Sequence, residues 1–63
     1  MISIPAAQAA KGDLVIYRPP GQPDKAEQGV ITGVSHTAVF VRYAGDTHAK
    51  ATRPDDLEWV APH

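Results

Sequence analysis

The chain contains no cysteine, only four aromatic residues, and no apolar run near the roughly 20 residues that span a bilayer. Without cysteine no disulfide can reinforce the fold, and the composition agrees with a reducing compartment. Nor is there an excess of one charge. Six Lys plus Arg stand against seven Asp plus Glu, a formal net charge of -1, so global attraction to nucleic acid or anionic lipid is excluded and any such contact must rest on a local patch. Met1 to Ala10 lack the basic start and long apolar stretch of a signal peptide, which makes the cytoplasm the expected location. Sixty-three residues are too few for two cores or for three copies of a 20 to 50 residue repeat. A chain this short hides only ~60% of its unfolded surface. Self-association is therefore an expectation from size alone.

What is present is strand-forming sequence punctuated by turns. Ala38-Val39-Phe40-Val41-Arg42-Tyr43 is the densest strand signal, with Val39, Val41 and Tyr43 on one face and Ala38, Phe40 and Arg42 on the other. It reads as the central strand. Leu14 to Arg18 is the first clear strand, introduced by a Lys11-Gly12-Asp13 turn and ended by Pro19 and Pro20, which lack the amide hydrogen a ladder needs. Residues 19 to 28 read as a long solvated loop. Gly29 to Val34 form the next strand, in which Gly33 predicts a bulge or bend, and Ser35-His36-Thr37 turn it into the central strand as a hairpin. Ala44-Gly45-Asp46 is a further turn, Thr47 to Thr52 a short fourth strand, Arg53 to Asp56 a tight helical turn with Pro54 presetting its dihedral, and Leu57 to Val60 a fifth strand. The first ten residues are ambiguous. Ile2 and Ile4 alternate like a strand, while Pro5 and the alanines after it suit one helical turn; the expectation is an extended arm, then a loop or short turn, with both isoleucines seeking a partner surface.

Five short strands, a long first loop, a central hairpin and one helical turn before the last strand make an all-β chain whose order resembles the SH3-like barrels over residues 11 to 60. The resemblance rests on Gly12-Asp13-x-Val15, Gln28 to Thr32, Val39 to Tyr43 and Pro54 to Glu58. Residues 1–10 then form an N-terminal arm, 11–60 a small five-stranded SH3-like barrel, and 61–63 a tail. Val39 to Tyr43, Gly45 to His48, Lys50 to Thr52 and Asp56 to Glu58 also resemble small proteins of unknown function encoded by tailed phages and prophages. That likeness implies a place in the host cytoplasm or the virion.

Candidate chemistry is thin. Type II dihydrofolate reductases share this fold class but use a Val-Gln-Ile-Tyr run where Ala49, Lys50, Ala51 and Thr52 stand here, so their activity does not carry over. Ser35 beside His36 lacks a third, orienting group. His36, His48 and His63 offer only Asp46-x-His48 as a close pair, short of a metal motif. No catalytic residue, metal or cofactor is therefore expected. Arg42, Lys50, Arg53 and Arg18 form a candidate basic patch for nucleic acid, with Phe40 and Trp59 as stacking platforms, yet Asp46, Asp55, Asp56 and Glu58 lie close in sequence and oppose it. Tyr17 and Tyr43 are assigned to the core. Phe40, facing away from Val39 and Val41, joins Ile16, Ile2 and Ile4 as the candidate protein interface. The resulting expectation is a non-enzymatic interaction module acting through a homo-oligomer or a protein partner, with nucleic-acid binding as the alternative.

Overall fold

The computed structural model describes residues 1–60, and the expected tail at 61–63 lies outside them. One short helix, α1 (Ile4–Ala9), precedes five strands: β1 (Leu14–Tyr17), β2 (Glu27–Val34), β3 (Val39–Tyr43), β4 (Lys50–Thr52) and β5 (Leu57–Trp59). All pair antiparallel in a single sheet of order β4-β3-β2-β1-β5. The fold is thus all-β apart from α1 and two 3₁₀ turns, at Pro23–Lys25 and Pro54–Asp56. Among the described residues β4 and β5 are the edges of the sheet, which is not closed on itself.

The centre of the sheet is β2, and this corrects the assignment of that place to Val39–Tyr43. β3 has the greater apolar density, but β2 has eight residues and reaches both neighbours: Glu27 to Val30 pair with β1, Gly29 to Val34 with β3. Length and pairing partners decide a strand's place, and apolar content does not report either. The bulge expected at Gly33 is present. Ile31 pairs with Val41 and Gly33 with Phe40, which leaves Thr32 as the extra residue. Its hydroxyl donates to the Phe40 carbonyl at 3.2 Å. Glycine is needed in the turns at Gly12, φ +92°, and Gly45, φ +86°, where the backbone lies in the left-handed region.

Pleating divides the strands into two faces. On the inner face Val15, Ile31, Val39, Val41 and Leu57 are fully buried, and Tyr17, Val34 and Trp59 pack against them. Gly29 belongs to this face because a Cβ there would lie 2.5 Å from Val41 Cγ1 and 3.0 Å from the Arg42 carbonyl oxygen. The Tyr43 hydroxyl reaches buried Thr52, 2.7 Å from its Oγ1, so this buried polar residue of the core is satisfied.

The N-terminal segment folds back onto the core, which corrects its reading as an extended arm. Ser3 caps α1 by accepting from the Ala6 amide at 3.2 Å, and Pro5 sits in the first turn, where its missing N–H has no cost. The Ile2 amide donates to the Pro54 carbonyl at 3.1 Å. Ile2 is 4% exposed, Ala7 fully buried, and Ile4 half-buried against the core. A six-residue helix is marginal alone; here its buried side stabilises it. No helix of the described residues is long and apolar enough to cross a membrane.

Candidate functional site

The outer face of the sheet follows from the same registers. Across the strands run three rows of side chains: Ala51, Phe40 and Gly33; then Arg42, Val30 and Leu14; then Gln28, Ile16 and Glu58. Phe40, Val30 and Ile16 are half-buried without belonging to the core cluster, and Leu14 is 44% exposed. Val60, 41% exposed, lies beside Leu14, its amide donating to the Leu14 carbonyl at 3.4 Å. Five apolar side chains therefore share the side of the sheet turned away from the core. A depression of about 430 Å³ on this side is lined in part by Leu14, Val30, Arg42 and Asp46.

Of the four residues assigned to a protein interface from the sequence, Phe40 and Ile16 lie on this outer face. Ile2 does not: it is spent inside the chain's own core, and Ile4, the first residue of α1, packs at the core's margin. Leu14, Val30 and Val60 were not singled out, although the alternation that turns Val15 and Tyr17 inward turns Leu14 and Ile16 outward. The signal was in the pattern. What could not be read was that β1, β2 and β3 place their outward residues side by side.

The basic residues are dispersed and largely paired. Arg18 Nε binds Glu58 Oε2, Lys50 Nζ lies 3.4 Å from Asp46 Oδ2, and Arg53 lies 3.6 Å from Asp55 Oδ2. These exposed pairs add little stability, but each sets a carboxylate against a cation a phosphate would need. Arg42 is exposed on the outer face and forms no ion pair among the described residues.

Two further places hold polar side chains. Ser35 Oγ accepts from the Ala38 amide at 3.1 Å and the Thr37 amide at 3.4 Å, so this hydroxyl organises the β2–β3 turn. Beside β4 and the second 3₁₀ turn lies a cleft of about 290 Å³, lined by Tyr17, Glu27, Tyr43, Lys50 to Arg53, and Asp56. The tyrosine rings meet edge to face there, their centroids 6.0 Å apart. Burial pushes the Tyr43 phenol above its ordinary range, and the nearby charges of Tyr17 and Glu27 add to that, outweighing the bond to Thr52. No protein-family model, curated protein or solved structure matches this chain.

Proposed function

We propose that the chain is a non-enzymatic protein-interaction module that works through the outer face of its sheet. The observation that carries this reading is the patch of Phe40, Ile16, Val30, Leu14 and Val60, apolar side chains that take no part in the core. The order β4-β3-β2-β1-β5, with a 3₁₀ turn immediately before β5, supports assigning the fold to the SH3-like barrels. The likeness of Val39–Tyr43 and the segments after it to small phage and prophage proteins supports assembly or self-association as the setting. Nucleic-acid binding is the weaker reading, because Arg18, Lys50 and Arg53 each sit beside a carboxylate.

A photo-crosslinking side chain placed at Leu14, with the exposed helix position Gln8 as control, tests the proposal in cells of the source organism. Protein adducts at position 14 and none at position 8 are expected. An absence of protein adducts at position 14, or adducts with nucleic acid alone, overturns it.

A further inference from the structure

The outer face carries more than apolar surface, and its charges bear on what covers it. Arg42 lies on β3 and Glu58 on β5, both outward, with β2 and β1 between them. Three interstrand steps and a two-residue offset along the strands separate the two by about 16 Å. Val30, Leu14 and Ile16 fill the interval. Arg42 makes no ion pair among the described residues, whereas Glu58 engages Arg18 through Oε2 and keeps about half its side chain exposed. An ionised carboxylate has lone pairs on both oxygens and can accept a second guanidinium.

We infer that the occupant of this face is a second copy of the chain, packed outer face to outer face about a two-fold axis. The inference rests on the outer-face reading above and names the partner. A two-fold axis lying in the plane of contact, between the two charges, brings Arg42 of one copy onto Glu58 of the other. By symmetry it makes the reciprocal contact at the same time. The same operation lays Val30 over Leu14 and Ile16 of the second copy, so apolar side chains meet in the centre and unlike charges meet at both sides. The face is self-complementary: it holds both halves of the pair it needs. A different protein would have to reproduce the same apolar strip with the charges at the same separation.

The size of the patch sets the class of contact. One side of a standard interface covers ~800 Å², about a fifth of this chain's 4128 Å² surface, and five apolar side chains with one charge at each side make a smaller contact than that. A contact of that size belongs with the weak and transient associations.

Charge reversal tests both the partner and the geometry. Arg42→Glu and Glu58→Arg each set like charges together twice in their own homodimers, and each is expected to weaken self-association at least about tenfold. Mixed in equal amounts, the two variants form a heterodimer in which both contacts are again of unlike charge. Its appearance by sedimentation or native mass spectrometry at wild-type affinity is the expected result. Should Glu58→Arg prove poorly folded through loss of the Arg18 pair, Arg42→Glu is read alone against Arg42→Gln, with the reversal expected to be the more damaging. A wild-type chain that stays monomeric at about 500 µM overturns the inference, as does a dimer whose affinity neither reversal changes. Either result leaves the broader reading separately decidable, because adducts at position 14 to a different protein would uphold the outer face as an interface while removing the second copy from it.

Discussion

Gly29 and Gly33 stand four residues apart in β2, yet they answer to opposite demands. Gly29 lies on the inner face, where a single added carbon would meet Val41 and the Arg42 carbonyl inside van der Waals contact. Gly33, turned by the bulge at Thr32 to the outer face opposite Phe40, has nothing within 4 Å of an added Cβ. The inner face is filled to the point that one position admits no side chain. The outer face has room, and the apolar groups on it are not used by the fold. Folding and the proposed interaction are therefore separable by face, and substitutions on each face should sort into different readouts.

The largest effect is expected from removing a fully buried inner side chain. Leu57→Ala leaves a cavity in the inner-face core beside its cross-strand partner Tyr17 at a cost of about 2–5 kcal/mol, against a total stability of about 3–9 kcal/mol for a chain of this length. Urea denaturation should show a midpoint lowered by roughly half or more. Gly29→Ala comes next, destabilising by about 1–3 kcal/mol, since backbone as well as Val41 must shift to admit the carbon. A fully native urea midpoint in that variant would break the contrast between the faces at its sharpest point.

Tyr43→Phe should cost about 1 kcal/mol at neutral pH, the net worth of the hydroxyl pair with Thr52. It also carries a pH signature. Burial raises the Tyr43 phenol above 10.0, so the folded chain holds that proton more tightly than the unfolded one. The associated stability is complete below the ordinary phenol range and is lost as pH rises through the folded value. Wild-type unfolding free energy should therefore fall above about pH 10, and Tyr43→Phe should flatten that decline. A decline of equal slope in the variant would assign it to other groups.

The smallest effects belong to the outer face. Gly33→Ala should be neutral or stabilising by up to about 1 kcal/mol, because its backbone is not in the left-handed region and the space is open. Leu14→Lys should change stability by no more than about 0.5 kcal/mol. Thermal or urea midpoints check both, and a loss of more than about 1.5 kcal/mol in either would mean that the outer face contributes to the fold after all.

Much of the fold was legible in residue order. Alternation, paired prolines, turn glycines and Pro54 located five strands and the last turn to within a few residues, and Gly33 located the bulge. The partner relations were not legible. That β2 sits between β1 and β3 depends on its length in the ladder. That Arg18 meets Glu58, 40 residues away, depends on β1 pairing with β5. Ser3, Pro5 and the alanines do spell a helix start, but nothing local says that the helix folds back to bury Ile2. The candidate interface was visible in part for the same reason: Phe40 and Ile16 could be turned outward by counting along a strand, whereas joining them to Val30 and Leu14 required knowing which strands lie side by side.

The claim that the inner face folds the chain and the outer face binds is tested most directly by sedimentation velocity of the wild type and Leu14→Lys, over a hundredfold range of concentration reaching about 500 µM. The prediction is a wild-type chain that passes from monomer to dimer across that range, while Leu14→Lys stays monomeric with an unchanged urea midpoint. A wild type that remains monomeric throughout would contradict the second copy as the outer face's occupant, and a variant that associates as the wild type does would contradict the outer face as the surface that binds it.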